Sequence, residues 1–207
     1  MSLPDPPSRS HAGRSSLETA RPHADFSARP DGYWGMAVFL ATDAVMFTLL
    51  LVANVYLRRY AGGDPQSHLD PATTLRLSLG LWASSATLVL AERMKARAVP
   101  SGLLYLLTGG LGLVFVYGQV QEYERLLREG VAVSSDLFYT GFYTVTGLHG
   151  LHVALGALLW LGLGVLRLRG RLGPRREGVS AGLGLYWHFV DAVWVVLYAA
   201  LYLWRGP

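Results

Sequence analysis

"LFYTGFYTVTGLHGLHVALGALLWLGLGVL", residues 137–166, runs for 30 residues without an Asp, Glu, Lys or Arg. As a helix it rises about 45 Å at 1.5 Å per residue, more than the roughly 30 Å of bilayer hydrocarbon. Its apolar residues do not alternate with polar ones, as the wall of a membrane β-barrel requires. The stretch therefore predicts a transmembrane helix. Working outward from it, four further apolar runs appear: Trp34–Leu57, Leu75–Ala91, Ser101–Val120 and Val179–Trp204. Each is close to or above the length of a span, and the second reaches it by taking in Thr73, Thr74 and Arg76 at the interface. The expected architecture is all-α and polytopic, a bundle of five transmembrane helices. The third helix is expected to continue past the bilayer through "QVQEYERLLREG" and to stop at Gly130.

Composition agrees. The chain of 207 residues is 52% hydrophobic and 15% charged, about ten percentage points poorer in charge than a soluble domain. Its net charge of +4 does not mark a nucleic-acid face, because the arginines lie in the short segments between apolar runs. There is no cysteine, which excludes disulfides, iron–sulfur clusters and copper–thiolate centres. Any metal would need histidine or carboxylate ligands.

Residues 1–33 are polar, with prolines at 4, 6, 7, 22 and 30, and read as a disordered cytoplasmic tail ahead of a membrane domain, 34–207. Five spans place the termini on opposite sides. With the N-terminus inside, the inner segments hold Arg9, Arg14, Arg21, Arg29, Arg93, Lys95, Arg97, Arg167, Arg169, Arg171, Arg175 and Arg176. The outer segments hold Arg58, Arg59, Arg76, Arg125, Arg128 and Arg205. This twofold excess predicts a cytoplasmic N-terminus and an outside C-terminus. Tyr33, Trp34, Tyr56, Tyr60, Tyr202 and Trp204 are expected at interfacial depth.

Few ionisable residues fall inside the spans, and each costs at least about 2.5–3.5 kcal/mol to insert. They are Asp43, His149, His152, His188 and Asp191, and the run boundaries put all five within a slab of about 10 Å. His149 and His152 are i,i+3 and share a helix face with Gly156. The glycines at 141, 147, 150 and 156 are expected to admit a close neighbouring helix. Trp187, Asp191, Trp194 and Tyr198 form one stripe at i, i+4, i+7 and i+11, with His188 three residues before Asp191. Three readings of the two histidines compete. One is a haem or metal site, although no membrane-embedded Glu-x-x-His occurs. The second is interhelical hydrogen bonding, in or against a carboxylate, with Asp43, His188 and Asp191 at a depth where they could supply partners. The third is a lipid-headgroup or proton-handling role.

"YTVTGLHGLHVALG" (143–156), followed by "YWHFVDAVWVVLYAALYLW" (186–204), resembles subunit III of the haem–copper oxidases, the cytochrome c and quinol oxidases. "LATDAVMFTLLLVANVY" (40–56) is similar to the family's helix with a buried carboxylate, "LWASSATLVLA" (81–91) to its next helix, and "GQVQEYERL" (118–126) to its Gln-x-x-Glu-Tyr segment. The resemblance runs from Trp34 to the C-terminus and implies a five-helix short form in a bacterial inner membrane. It implies a non-catalytic subunit with no cofactor of its own, the haems and copper lying in partner subunits I and II. It further implies packing against subunit I, bound phospholipid, and support of proton uptake during oxygen reduction. An accessory subunit III-like protein of nitric oxide reductases shares the five-helix plan and is the alternative; a haem-binding membrane anchor is a more distant one. The resemblance carries a possible proton-related role onto Asp43, where the family more often has Glu, longer by one methylene. Structural, lipid or subunit contacts are carried onto Glu122, Tyr123, His149, His152, Trp187, His188 and Asp191, none of them catalytic.

Overall fold

The computed structural model describes residues 31–60, 66–172 and 174–204. They form α1 (Asp31–Leu57), α2 (Pro71–Arg93), α3 (Ala98–Arg128), α4 (Leu137–Leu168) and α5 (Pro174–Tyr198). A 3₁₀ turn, Arg58–Tyr60, follows α1 and a π-helical turn, Ala199–Leu203, ends α5. All five helices are long and apolar enough to cross a membrane, and there is no strand among the described residues. The protein is a multi-pass helical membrane protein.

The apolar runs located the helices but underestimated their lengths. α1 starts at Asp31, so the last three residues of the segment read as a tail are helical; residues 1–30 lie outside the described part. α2 starts at Pro71 because Asp70 caps it, its carboxylate accepting from the backbone N–H of Ala72 (3.1 Å) and Thr73 (3.0 Å). The Thr73 hydroxyl and these amides, with Arg125 nearby, hold the Asp70 carboxyl below the usual carboxylate range. Asp136 caps α4 through the Tyr139 N–H at 2.8 Å. α3 continues to Arg128, as its spacing predicted, and the chain reverses at Gly130, whose φ of +81° suits glycine.

The helices close a ring in the order α1, α4, α3, α2, α5, and α4 also reaches across to α5. α4 contributes the centre: Phe138, Phe142, Val145, Val153, Ala157 and Trp160 are fully buried. α1 is peripheral, with Val38, Val45, Leu49 and Val52 on an apolar outer face. Asn54 breaks its apolar run from inside, donating to the Phe138 carbonyl at 3.0 Å. That approach requires Gly141, where a Cβ would stand 2.4 Å from the Asn54 amide nitrogen. Of the four glycines expected to admit a neighbour, Gly141 and Gly156 do so. Gly150 meets nothing within 4 Å, and Gly147 meets only the Tyr123 hydroxyl at 3.5 Å.

The closest helix contact, α3 on α4, depends on small residues that face each other. A Cβ at Gly109 would lie 2.7 Å from the Ala157 carbonyl oxygen, and one at Gly164 would lie 3.0 Å from the Gly102 carbonyl. Backbone cannot rotate away as a side chain does, so Gly109→Ala is expected to push the helices apart and cost about 1–3 kcal/mol. Gly110→Ala, one residue on, meets nothing within 4 Å and should be neutral or stabilising through helix propensity. Thermal melts of the two variants in detergent check the contrast; equal melting temperatures would contradict it.

Both ends of the bundle are fastened by charge. At one, Glu122 on α3 is buried and paired with Arg125 at 2.6 Å. Arg125 continues to Glu129 at 2.9 Å and to the His68 carbonyl at 2.8 Å. The His68 ring, 3.0 Å from Glu129, holds that carboxyl below its ordinary value. At the other end, Arg167 of α4 donates to Ser101 at 3.1 Å and to the Lys95 carbonyl, and the Tyr105 hydroxyl donates to Glu92 at 2.8 Å. Tyr202, at the end of the last span, is buried against the other helices, whereas Trp34, Tyr56, Tyr60 and Trp204 are exposed.

Candidate functional site: two polar centres between the helices

The polar residues of the spans do not gather at one point. They divide between the α1–α4 contact and the α2–α5 contact.

At the first, α1 brings Asp43 against α4, and Asp43 Oδ2 lies 3.3 Å from His152 Nε2. His152 Nδ1 sits 2.8 Å from the Leu148 carbonyl. A carbonyl only accepts, so Nδ1 carries a hydrogen. Nε2 then faces Asp43 Oδ2, which has no hydrogen-bond partner among the described residues; one proton between them, carried on the imidazole or on the carboxyl, would close the contact. In both forms the pair as a whole is neutral, which is the condition for holding two ionisable groups in a low-dielectric bundle. Tyr186 of α5 donates to the His152 carbonyl at 2.8 Å, so three helices meet around this residue.

His149 behaves differently. It is fully buried, and neither ring nitrogen has a hydrogen-bond partner among the described residues. Its ring stacks on Trp194 at 4.9 Å and 19°, with the edges of Phe115 at 6.0 Å and Phe47 at 6.2 Å. Neither imidazole has a ring hydrogen bond to another helix among the described residues: His152 bonds Leu148 on its own helix and approaches Asp43 as a close charged contact, and His149 has no hydrogen-bond partner. Three residues turn a helix by about 300°, so His152 faces α1 while His149 faces the centre, where only aromatic rings await it. His188 and Asp191 supply it nothing, because both turn to α2.

At that second contact the α5 stripe meets a row of serines. Trp187 Nε1 donates to Ser84 at 2.9 Å, Trp194 Nε1 donates to Ser78 at 2.7 Å, and the Tyr198 hydroxyl donates to the Pro71 carbonyl at 3.0 Å. Ser85 donates to Asp191 Oδ2 and lies 3.0 Å from His188 Nδ1. The serines in turn satisfy their own hydroxyls on α2, Ser78 donating to the Thr74 carbonyl and Ser84 to the Leu81 carbonyl. Ser78, Ser84, Ser85 and Asn54 tie helices together through bonds that the sequence does not announce, since a polar residue in an apolar helix carries no sign of its partner. Glu122 and Tyr123 serve the α3 end: Glu122 in the arginine network, and Tyr123 within 2.6 Å of Thr146 on α4. Among the described residues no group of three or more His, Cys, Asp or Glu side chains is placed to hold a metal ion.

Residues 70–206 match the family described as cytochrome c oxidase subunit III. The chain is 33% identical over 176 residues to the probable cytochrome c oxidase subunit 3 of Mycobacterium tuberculosis, covering 83% of this chain and 87% of that protein. It is 31% identical over 196 residues to cytochrome c oxidase subunit 3 of Thermostichus vulcanus, covering 91% and 92%. It is also 30% identical over 177 residues to quinol oxidase subunit 3 of Bacillus subtilis, covering 83% and 85%. A five-helix membrane bundle with these motifs thus defines the class, and the chain belongs to the cytochrome c oxidase subunit III family.

Proposed function

We propose that the chain is the non-catalytic subunit III of a bacterial aerobic terminal oxidase, seated in the cytoplasmic membrane with its N-terminus inside. It packs against subunit I and joins subunit II, and those partners carry the haems and copper. The observation that carries this reading is how the motif residues are used. His152 is engaged with Asp43, His149 is wrapped in aromatic rings, and Trp187 and Trp194 are bonded to α2 serines. Residues occupied in this way hold helices in register and perform no turnover. The twofold excess of basic residues supports the orientation.

Two further features support the finer parts of the reading. The 3.3 Å approach of the Asp43 carboxyl to the His152 imidazole, where one proton would make the pair neutral, fits a proton-related role at that carboxyl, alongside the structural one. An apolar groove of about 220 Å³ between α1 and α5, lined by Phe47, Leu51, Phe189, Val193, Val196 and Leu197 among others, has the chemistry of an acyl-chain seat for phospholipid.

The test is purification of the tagged chain in mild detergent followed by visible spectroscopy. A haem–copper core is expected to accompany it, with a haem spectrum unchanged by His149→Phe or His152→Leu, the second variant shedding the core or its lipids more readily. A chain that purifies alone with a haem of its own, lost in either variant, would overturn the proposal.

A further inference from the structure

The turn at 66–70 touches the ends of three helices. Gln66 Nε2 donates to the Leu201 carbonyl at 2.6 Å and to the Trp204 carbonyl at 3.2 Å, at the π-helical end of α5, where the Trp204 N–H reaches back to Ala199 at 2.9 Å. Leu69 is buried and closes the turn by donating its N–H to the Gln66 carbonyl at 3.0 Å. Asp70 caps α2, and its own N–H approaches Glu122 of α3 at 3.4 Å. Between them His68 is exposed, and α3 grips it twice: Arg125 donates to its carbonyl at 2.8 Å, and Glu129 meets its ring Nδ1 at 3.0 Å.

Of the described groups around His68, the imidazole is the one suited to change charge near neutrality. Arg125 is permanently cationic and engages both oxygens of Glu122, at 2.6 and 3.3 Å. Asp70 and Glu129 are both held below the usual carboxylate range, so they stay ionised. Tyr139 of α4 offers the edge of its ring at 6.5 Å. Histidine is the side chain that switches between pH 5 and 8. A charged imidazole makes an ion pair with Glu129, whereas a neutral one leaves a single bond from an uncharged donor, the weaker contact. The fastening therefore tightens as pH falls from about 8 towards about 5, and slackens again only where the Glu129 carboxyl itself takes a proton.

We propose that the His68–Glu129 contact is a pH-sensitive clasp that holds the 66–70 turn on α3 and, through Gln66, steadies the π-helical end of α5, closing as the adjoining water acidifies. In the orientation proposed above that water is outside the cell, where respiration delivers protons; this placement rests on that reading, and the clasp itself does not.

The test is hydrogen exchange on the tagged chain as it purifies in mild detergent, read by mass spectrometry at about pH 5.5 and about pH 8, either side of the imidazole transition, and corrected for the intrinsic pH dependence of exchange. Protection of the Leu69 and Trp204 amides is expected to be about threefold higher at the lower pH, the scale of one exposed ion pair. His68→Gln offers Glu129 an N–H at every pH, so the step should vanish while protection persists. Glu129→Gln should remove the same step from the other side. An equal step in wild type and His68→Gln would overturn the proposal, as would a wild type without one. A step at Leu69 with none at Trp204 also counts against it, because the coupling to α5 is part of the claim. If His68→Gln fails to accumulate, Glu129→Gln decides. In sealed vesicles, a step that follows the inner buffer would remove the proposed orientation and leave the clasp standing, a separate outcome.

Discussion

Asp43→Leu is expected to destabilise the bundle by about 3–5 kcal/mol, the cost of breaking a buried pair and stranding its partner. With the carboxyl gone, His152 still gives its Nδ1 hydrogen to the Leu148 carbonyl, while Nε2 is left facing leucine. Asp43→Asn separates proton sharing from bonding. Its amide can donate to Nε2, so the variant should keep most of the stability and lose any function that needs a proton to leave this site. Melting temperature in detergent reads the first effect, and proton uptake by the purified oxidase reads the second. An Asp43→Leu variant as stable as the wild type would show that the 3.3 Å approach contributes nothing. α1 and α4 come close enough here that the short aspartate side chain reaches the imidazole.

What the sequence revealed depended on whether a signal was local. Span number and helix type were legible because bilayer thickness dictates run length, and the α3 extension because its helical spacing persists to Gly130. The Trp187, Asp191, Trp194 and Tyr198 stripe was legible because it repeats along one helix, and all four bond to α2 as one face. What they bond to was not. Ser78, Ser84 and Ser85 acquire meaning only once α2 and α5 lie antiparallel in a particular register. The split between His149 and His152 was hidden for a related reason. Identical residues three positions apart differ by about 60° around a helix, and which of them meets a carboxylate is decided by α1, some hundred residues away in the chain. The start of α2 was the reverse case: Asp70-Pro71 is a local cap signal, present in the sequence and overlooked because hydropathy alone set the boundary.

Trp194→Ala is expected to cost about 3–5 kcal/mol, the range for emptying a large buried aromatic site, and its neighbours explain why the site cannot collapse. Trp194 is fully buried, donates to Ser78 at 2.7 Å, meets the Phe115 ring at 4.8 Å and stacks on His149 at 4.9 Å. Its loss removes the indole from α2 and leaves His149, whose nitrogens are already without partners, facing a void. His149→Phe should have the opposite character. Phenylalanine preserves the stack and the edge contacts with Phe47 and Phe115 while removing two buried polar atoms that bond to nothing among the described residues, so stability should hold or rise. Melting temperatures of the two variants, measured in the same detergent, decide between a packing histidine and a bonding one. A large loss in His149→Phe would mean that its nitrogens hold an ordered water or proton essential to the bundle, and the imidazole would then belong with Asp43 and His152 in one polar centre.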